Sequence, residues 1–303
     1  MSRVLVGADV GGTKTVVAVA GRDGRVHRFS GPGAAVRPGR ALVSAATIAS
    51  QVRSALAAAG FTEADVLAVG AAGTGRALER EELLQALRSE RLAARVVVTT
   101  DIELALVAAF GKGPGIVVSA GTGSIALARD AARALHRTGG YGWQMGDEGS
   151  GYALGRAALA AAGRAADGIG PATDLSQRLL AAARVSSLDA LIGWAASAAP
   201  VEIASVAPAV LAAAAADDAV ALDIARRAAG ELAGLVRALL PHLGGGPVDL
   251  ALAGGLLQPG SEFRRYVLDA LTAEKGVRVR EAAVDAVTGA LKLAEELEAG
   301  ARN

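Results

Sequence analysis

Two short segments of the sequence combine glycine with hydroxyl or ammonium side chains. One reads Gly-Gly-Thr-Lys at residues 11–14, and the other reads Gly-Thr-Gly-Ser at residues 121–124. Because glycine lets the backbone approach a ligand closely and adopt positive φ, successive N–H groups can point at one anion. Each segment is therefore typical of a phosphate-binding turn, although a tight turn between two strands also requires glycine. The candidate phosphate-binding residues are Gly11, Gly12, Thr13, Lys14, Gly121, Thr122 and Gly123.

Neither segment fits the two commonest nucleotide motifs. A P-loop places lysine directly before serine or threonine and is followed by a helix, whereas here Lys14 follows Thr13 and precedes a strand-like run. The dinucleotide fingerprint also opens a helix, and the run after the second turn, at residues 125–129, predicts a strand. The sequence therefore indicates a different kind of phosphate site.

Two carboxylates stand at the ends of predicted strands. Asp9 comes just before the first turn, where a carboxylate is suited to hold Mg²⁺ through water. Asp101 follows Thr99 and Thr100 and precedes a predicted helix. A carboxylate there can accept the proton of an attacking hydroxyl, as the general base does in phosphoryl transfer. A structural alternative for Asp101 is a helix N-cap, and the local sequence leaves both interpretations open.

The elements around the turns repeat. Predicted strands at 4–8 and 15–20 flank the first turn, and predicted strands at 115–119 and 125–129 flank the second. This repetition predicts two related lobes, each bringing one turn to a shared cleft. Further predicted strands alternate with helices, which predicts an α/β fold with mixed sheets. The further strands are 25–29, 66–70, 95–99, 248–253 and 277–280, and the helices are 42–59, 79–89, 102–110, 175–183, 187–199, 219–240, 263–271 and 285–299.

Composition narrows the functional classes. The 303 residues carry 31 Lys and Arg against 30 Asp and Glu, so there is no basic excess of the kind that nucleic acid or an anionic membrane attracts. No cysteine is present, which excludes disulfides, thiolate zinc sites and iron–sulfur clusters and is compatible with the cytoplasm. No uninterrupted apolar stretch reaches the ~20 residues that a membrane span needs. We therefore expect a cytoplasmic protein with neither nucleic acid nor membrane as partner.

Several motifs along the sequence together resemble those of a known protein family. Gly-Ala-Asp-Val-Gly-Gly-Thr-Lys-Thr at residues 7–15 resembles the first phosphate motif of the sugar kinase/Hsp70/actin superfamily, residues 121–124 its second, and residues 250–255 its adenosine motif. The stretch Gly-Gly-Tyr-Gly-Trp-Gln-Met-Gly-Asp-Glu-Gly-Ser at 139–150 is similar to a characteristic segment of the BadF/BadG/BcrA/BcrD-type ATPases, which include N-acetylglucosamine kinase. These matches run in the family's order from residue 7 to Thr-Gly-Ala at 288–290.

The resemblance implies a domain organisation and a set of ligands. It implies two ribonuclease-H-like (actin-like ATPase) domains that close over ATP, Mg²⁺ and a hexosamine. We place the first domain at 1–112 and the second, with a helical insertion, at 113–285, and the helix at 286–300 is expected to pack back on the first. The resemblance further implies a homodimer.

It also implies roles for individual residues. Asp101 matches the family's catalytic base, which deprotonates the sugar 6-hydroxyl. Thr13, Thr122, Gly254 and Gly255 match nucleotide-binding positions. Asp147 matches a sugar-binding carboxylate with Ser124 and Glu148 nearby. The alternative for Asp147 is a structural N-cap for a helix that begins near residue 151.

Two departures from the family pattern concern the acceptor. The loop at 31–35 usually offers an asparagine to N-acetylglucosamine, and this chain has Ala34 and Ala35; Ala72 stands where a serine is often seen. The acceptor could therefore be glucosamine, another amino sugar or a non-amino hexose. A non-catalytic sugar or nucleotide sensor on the same scaffold is the alternative from another functional class. The lack of cysteine excludes the family's iron–sulfur activators.

Overall fold

The computed structural model describes residues 3–300, which divide into two compact units. Unit 1 contains the chain up to Gly113 together with the chain from Val284 onward. Unit 2 is Pro114–Ala283 and lies between those two parts in sequence. Unit 1 is therefore completed by residues far from its first strands along the chain.

The strands and helices alternate in both units. The strands are β1 Leu5–Val10, β2 Lys14–Ala20, β3 Val26–Pro32, β4 Ala64–Ala71, β5 Ala93–Thr99, β6 Gly115–Ala120, β7 Ser124–Arg129, β8 Leu135–Gly139, β9 Val248–Ala253 and β10 Val277–Val279. The helices are α1 Ala41–Ala58, α2 Ala77–Ser89, α3 Asp101–Phe110, α4 Gly151–Ala166, α5 Leu175–Ala183, α6 Leu188–Ser197, α7 Pro200–Ser205, α8 Ala207–Ala215, α9 Ala219–Leu239, α10 Glu262–Leu271 and α11 Ala286–Gly300.

Each unit contains a five-stranded mixed sheet, and the two sheets have the same topology. In unit 1 the order is β3-β2-β1-β4-β5, with β1 antiparallel to β2 and parallel to β4. In unit 2 the order is β10-β9-β6-β7-β8, with β6 antiparallel to β7 and parallel to β9. The predicted α/β class with mixed sheets is confirmed, and the repeated strand–turn–strand pattern corresponds to β1–β2 and β6–β7.

Helices cover both faces of the sheet in unit 1. On one face, α1 and α2 pack against the buried side chains of Val6, Ala8 and Leu67. On the other face, α11 buries Val287, Leu291 and Ala294 against the side chains of a second set of strand residues. That set is Leu5, Ala18, Val66 and Ala68. Because successive strand residues point to opposite faces, the near-continuous apolar runs of β1 and β4 are what a sheet covered on both faces requires.

One helix of unit 1 has the length and composition of a membrane span. Within residues 3–300, α1 is the only single helix that passes this test, with a mean hydropathy of 1.2 over 18 residues; two sharply bent helix pairs in unit 2 pass only when each is counted as one span. Ile48, Val52 and Leu56 of α1 are fully buried in the core of unit 1. The hydropathy of α1 is thus explained in part by its packing.

In unit 2 the helices supply most of the core. Leu154 and Ala158 of α4 and Leu232 of α9 are fully buried in one cluster with Ile116 and Val118 of β6. Alanine predominates at helix positions in this cluster, which lets the helices pack closely. The long helix-rich segment between β8 and β9 is thereby joined to the sheet.

The observed elements differ from the predicted ones in identifiable places. Strand β8 was missed, because Leu-His-Arg-Thr-Gly at an edge position is mostly polar and half exposed. The helix predicted at 187–199 ends at Ser197, and Pro200 begins α7. Proline has no N–H to donate, so it is tolerated in the first turn of a new helix and not in the interior of a continuing one.

Close contact between α11 and α3 gives a first prediction. A Cβ on Gly289 would lie 2.0 Å from the Leu104 carbonyl oxygen, so the two helix backbones touch at this glycine. We expect Gly289→Ala to lower the free energy of unfolding by about 1–3 kcal/mol through overpacking. Gly230→Ala in α9 is the matched control, since a Cβ there meets nothing within 4 Å; it should raise stability by up to ~1 kcal/mol. Urea denaturation checks both, and equal effects would contradict the close contact.

Candidate active site

The first glycine turn joins β1 to β2 and is held from behind by a loop of the same unit. The Gly11 N–H donates to the Lys14 carbonyl at 2.9 Å. The N–H groups of Gly33 and Ala34 donate to the Thr13 and Gly11 carbonyls, each at 3.1 Å. A Cβ on Gly33 would lie 2.3 Å from the Gly12 carbonyl oxygen, whereas one on Gly12 meets nothing within 4 Å. The carbonyls of the turn thus face the loop, and open space borders Gly12.

Two of the predicted carboxylates lie at one edge of the unit 1 sheet. Asp9 is in β1, and Asp101 begins α3 two residues after β5 ends. Since β1, β4 and β5 are parallel, their carboxyl ends meet at the same edge, which is where ligands bind in open α/β sheets. The fold therefore brings together two acids that are 92 positions apart in the sequence, and the charge of Asp101 raises the pKa of Asp9.

Both carboxylates have raised pKa values. Burial, followed by the charges of Asp101 and Asp285, raises the pKa of Asp9 to about 7, and the charge of Lys14 opposes this rise. Burial also raises the pKa of Asp101 to about 6, against the hydrogen bond that its Oδ1 accepts from the Ile102 N–H at 2.9 Å. Perturbed carboxylates that lie together at a sheet edge are typical of functional sites.

Asp285 is a site residue that the sequence analysis missed. It directly precedes α11, and its Oδ2 accepts hydrogen bonds from Arg28 at 2.5 Å and from the Thr288 hydroxyl at 2.8 Å. The charge of Asp285 raises the pKa of Asp9, although the two residues are 276 positions apart in the sequence. The one sequence feature that could have indicated it is its place at the start of the closing helix.

The structure shows that a residue other than Asp101 is the N-cap of α3. The N-cap of α3 is Thr100, whose hydroxyl accepts from the Glu103 N–H at 3.2 Å, while Glu103 Oε2 accepts from the Thr100 N–H at 2.9 Å. This is a complete capping box. Asp101 is therefore not needed as a cap.

The second turn, in unit 2, is seated on the first residues of α4. The Gly121 N–H donates to the Gly123 carbonyl at 2.9 Å. The carbonyls of Gly121 and Thr122 accept from the Gly151 and Tyr152 N–H groups at 2.8 and 3.2 Å. These bonds satisfy N–H groups at the helix start and fix the turn against α4.

Asp147 contacts this turn directly. Its Oδ1 accepts from the Ser124 N–H at 3.1 Å, and a Cβ on Gly123 would lie 2.8 Å from both of its carboxylate oxygens. The Ser124 hydroxyl donates to the Glu148 carbonyl at 2.6 Å. Burial, followed by the charge of Glu148, raises the pKa of Asp147. The three predicted acceptor-binding residues of this unit, Ser124, Asp147 and Glu148, therefore lie together.

The N-cap alternative for Asp147 is wrong. The N-cap of α4 is Ser150, which is fully buried and whose hydroxyl accepts from the Ala153 N–H at 3.2 Å. Asp147 lies one turn earlier in the loop, with a φ of 66°. A carboxylate held in the left-handed region of backbone conformation is uncommon outside turns and functional loops.

Gly254 and Gly255 follow β9 at the carboxyl edge of the unit 2 sheet. Gly254 has a φ of 86°, and a Cβ on it would lie 2.3 Å from the Ala120 carbonyl oxygen. Ala120 is the residue immediately before the second turn. Gly254 is thus beside that turn at a position where only glycine fits, whereas a Cβ on Gly255 would meet nothing within 4 Å.

Exposed aromatic side chains also lie near α4 and were not singled out by the sequence analysis. Tyr141 and Trp143 are 60% and 46% exposed. The Trp143 and Tyr152 ring centroids are 5.5 Å apart, and the Arg137 guanidinium lies 5.1 Å from the Tyr141 ring centroid. Aromatics make up only 3% of this chain, so two within three residues of a glycine-rich loop are a signal that could have been used.

The metal prediction rests on one carboxylate. Within residues 3–300 there is no group of three or more His, Cys, Asp or Glu side chains placed to hold a metal ion. Mg²⁺ in nucleotide sites keeps several waters and uses one or two carboxylates together with substrate phosphates. Asp9, beside the first glycine turn, fits that mode of binding.

Comparisons with known proteins identify the family of this chain. A sequence profile of the BadF/BadG/BcrA/BcrD ATPase family matches residues 6–294. The chain is 30% identical over 277 residues to the N-acetylmuramic acid/N-acetylglucosamine kinase of Clostridium acetobutylicum, covering 88% of this chain and 90% of that protein. Its fold is similar to that of a Chromobacterium violaceum protein assigned as an N-acetylglucosamine kinase, with a TM-score of 0.81, 29% identity and coverage of 96% and 98%.

A more distant structure has the same fold. The ROK family glucokinase of Streptomyces griseus, solved with glucose and AMPPNP, superposes with a TM-score of 0.61 at 20% identity and covers 97% of this chain and 99% of its own. The profile match spans nearly the whole chain, from β1 to α11, and includes both turns and every carboxylate described above. The chain belongs to the BadF/BadG/BcrA/BcrD ATPase family.

Proposed function

We propose that this protein transfers the γ-phosphoryl group of ATP to the 6-hydroxyl of a hexosamine of the glucosamine or N-acetylglucosamine type. The chain is an ATP-dependent sugar kinase, as its family and its kinase relatives indicate. Beyond this, we propose which sugar accepts the phosphoryl group, which of its hydroxyls reacts and which residues of this chain take part. The observation that carries the proposal is the position of Asp101. Its carboxylate has a raised pKa and lies near Asp9 at the edge of the sheet, and Thr100 caps the helix in its place.

In the proposed reaction Asp101 acts as general base. Its carboxylate takes the proton of the acceptor hydroxyl as that oxygen forms a bond to the γ-phosphorus. The bond between the γ-phosphorus and the bridging oxygen of ADP breaks, and ADP leaves with the electron pair. A base with a pKa of about 6 is ionised at neutral pH yet basic enough to help, which suits this role.

We assign the phosphates to the two glycine turns. Backbone N–H groups of residues 12–14 and 122–123 would bind them, together with the Lys14 ammonium and the Thr13 and Thr122 hydroxyls. The N–H groups of Gly11 and Gly121 close the two turns on the Lys14 and Gly123 carbonyls. Gly254 and Gly255 would border the nucleoside. Asp9 would hold Mg²⁺, which supplies charge neutralisation at the β- and γ-phosphates when bound. The open space next to Gly12 supports this assignment for the first turn.

We assign acceptor hydroxyls to Asp147, with Ser124 and Glu148. Asp147 uses Oδ1 for the Ser124 N–H, which leaves Oδ2 for a sugar hydroxyl. Ala34 donates its N–H to the first turn, and its methyl side chain, which is 7% exposed, has no polar group to offer the acceptor. The acceptor is therefore recognised with fewer side-chain hydrogen bonds than the family pattern provides.

A coupled ADP-release assay over a panel of acceptors tests the proposal. Glucosamine, N-acetylglucosamine, N-acetylmannosamine, N-acetylmuramic acid and glucose would each be supplied with Mg²⁺ and ATP. We expect the highest kcat/KM for a 2-amino or 2-acetamido sugar, and no turnover with its 6-deoxy analogue. A preference for glucose would instead support a kinase for a non-amino hexose, and no turnover with any acceptor would support the sensor.

N-acetylmuramic acid is the second candidate acceptor. It is included because the Clostridium acetobutylicum relative is described as acting on both that sugar and N-acetylglucosamine. It carries a lactyl ether at O3, so the two sugars test whether the acceptor site admits a substituent there. Equal kcat/KM values for both would assign this chain the same dual use.

Removing the Asp147 carboxylate should weaken acceptor binding. We expect Asp147→Ala to raise the KM for sugar about 10- to 100-fold, because a hydrogen bond donated to a charged group contributes about 1.5–3 kcal/mol. Asp147→Asn, which can still accept from the Ser124 N–H, is the control that separates lost charge from a rearranged turn. An unchanged sugar KM in Asp147→Ala, for every accepted sugar, would remove the assignment.

The pH dependence of kcat/KM should follow Asp101. Because its pKa is raised to about 6, the base is protonated below that pH and kcat/KM should fall about tenfold per unit. An aspartate at the ordinary value of 3.8 would keep the rate level to about pH 4.5. The profile is measured with sugar varied at saturating ATP and Mg²⁺, where the cation opposes protonation of Asp9. A profile that stays level to pH 4.5 would contradict the assignment.

We also propose that the enzyme works in the cytoplasm as a homodimer. The lack of cysteine suits a reducing compartment, and exposed Ile192 on α6 is a candidate contact. Light scattering of the purified protein tests the assembly. A mass of about 30 kDa at all concentrations would mean a monomer.

A further inference from the structure

A chain of hydrogen bonds in unit 1 fixes the backbone that precedes Asp101. It begins at Thr74, in the turn that follows β4, whose side chain is fully buried. The Thr74 Oγ1 lies 2.7 Å from the Ala71 carbonyl oxygen and 2.8 Å from the Thr99 carbonyl oxygen. Its single proton can serve either acceptor, so one hydroxyl joins the end of β4 to the end of β5.

The chain continues from Thr99 to Glu103. The Thr99 hydroxyl donates to Glu103 Oε2, and the Thr100 N–H donates to the same oxygen at 2.9 Å. An ordinary capping box uses its glutamate for the N-cap N–H alone. Here Glu103 also holds a side chain of the residue before the cap.

The other end of the chain is anchored on α2. The Arg80 Nε–H donates to the Thr74 carbonyl at 3.0 Å. The two residues before Asp101 are thus held at the Thr99 carbonyl, the Thr99 hydroxyl, the Thr100 hydroxyl and the Thr100 N–H. Asp101 follows this fixed segment directly. Among the described residues, no hydrogen bond joins the Asp101 side chain to this segment.

We propose that Thr74 and Glu103 are positioning residues that hold the Asp101 carboxylate in its reactive orientation. This inference rests on the proposed function, since it gives Asp101 the role of base. Neither residue needs to touch a substrate for it. Small displacements of a base from the hydroxyl it deprotonates slow the chemical step far more than they weaken binding.

Removing either link should therefore lower kcat and leave binding unchanged. We expect Thr74→Val, which keeps the shape and loses the hydroxyl, to lower kcat about 10- to 100-fold with the KM values for sugar and ATP within about twofold. Thr74→Ser should restore most of the rate, because it restores the hydroxyl. Glu103→Ala should behave like Thr74→Val, and Glu103→Gln, which can still accept from the Thr100 N–H, should be milder.

A matched control separates positioning from capping. Glu202 in α7 occupies the same helix position as Glu103 in α3, and its Oε2 accepts from the Ala199 N–H at 2.7 Å. Glu202→Ala removes the same kind of capping bond in the other unit, so it should cost similar stability and leave kcat at the wild-type value. Melting temperatures measured alongside the kinetics check that the variants are folded.

The decisive test repeats Thr74→Val in an Asp101→Asn background. If Thr74 acts through Asp101, the second substitution should lower the residual rate by less than about twofold, because residues that act as a unit are non-additive. An undiminished 10-fold loss in that background, a wild-type kcat in both Thr74→Val and Glu103→Ala, or a kcat loss in Glu202→Ala as large as theirs would overturn the inference. Failure of the proposed function looks different, because either wild-type protein then has no sugar-dependent turnover or Asp101→Asn keeps full activity.

Discussion

Asp101→Asn should lower kcat by about 10²–10⁴-fold while the KM for ATP changes little. The amide has nearly the same shape and can still accept the hydrogen bond from the Ile102 N–H, so α3 and its capping box should be preserved. What it lacks is a basic oxygen for the proton of the acceptor hydroxyl, and general bases contribute rate factors of this size. The measurement is steady-state turnover at pH 7.5 with ATP and sugar varied separately.

Two controls accompany this variant. Glu103→Gln alters a neighbouring carboxylate in the same helix turn and should lose far less than Asp101→Asn. Binding of a non-hydrolysable ATP analogue, followed by calorimetry, should be equal in wild type and Asp101→Asn. Near-wild-type turnover in Asp101→Asn would remove the general-base role, and a joint loss of nucleotide binding would indicate a disturbed site.

Asp9→Asn should abolish Mg²⁺-dependent turnover and yet stabilise the metal-free protein at alkaline pH. The folded-state pKa of Asp9 is about 7 against an ordinary value of 3.8, so the folded state favours the protonated form. Its stability contribution is therefore fully present below pH 3.8 and is lost progressively as the pH rises from there to about 7. Between pH 5 and pH 8 this group should lower the free energy of unfolding of the wild type by about 2–3 kcal/mol, a loss that asparagine does not suffer.

Urea denaturation in a chelating buffer measures that difference. The free energy of unfolding of Asp9→Asn minus that of the wild type should be larger at pH 8 than at pH 5. Added Mg²⁺ with ADP should stabilise the wild type and have less effect on the variant, because ligands that bind only the folded state raise its stability. A difference between the two proteins that does not change with pH would contradict the raised pKa, whatever the activity.

Much of this site could be predicted from the sequence because its parts are local. The turn at residues 11–14 and the turn at 121–124 each lie between two short apolar runs whose pairing is set by the turn itself. Asp101 follows a strand and precedes a helix, and parallel strands place such residues at one edge. The fold class followed from the alternation of strands and helices in the same way.

The parts that escaped prediction depend on contacts distant in sequence or on choices between neighbours. Asp285 reaches Asp9 only because α11 packs on β1, a pairing that no local pattern encodes. Asp147 and Ser150 are both good N-cap residues, and only the three-dimensional course of the loop gives the cap to Ser150. Strand β8 was missed because an exposed edge strand has no alternating apolar pattern to detect.

Because unit 1 consists of two separate stretches of the chain, its two parts are synthesised at different times. The ribosome makes Leu5, Ala18 and Val66 early, but α11, which buries them, emerges only after all of Pro114–Ala283 has been translated. At ~5–20 residues per second that delay is on the order of 10–30 s. Unit 2 can bury its own core during this time, whereas one apolar face of the nascent unit 1 stays open to chaperones. Premature termination before Ala286 would leave that face permanently without its covering helix.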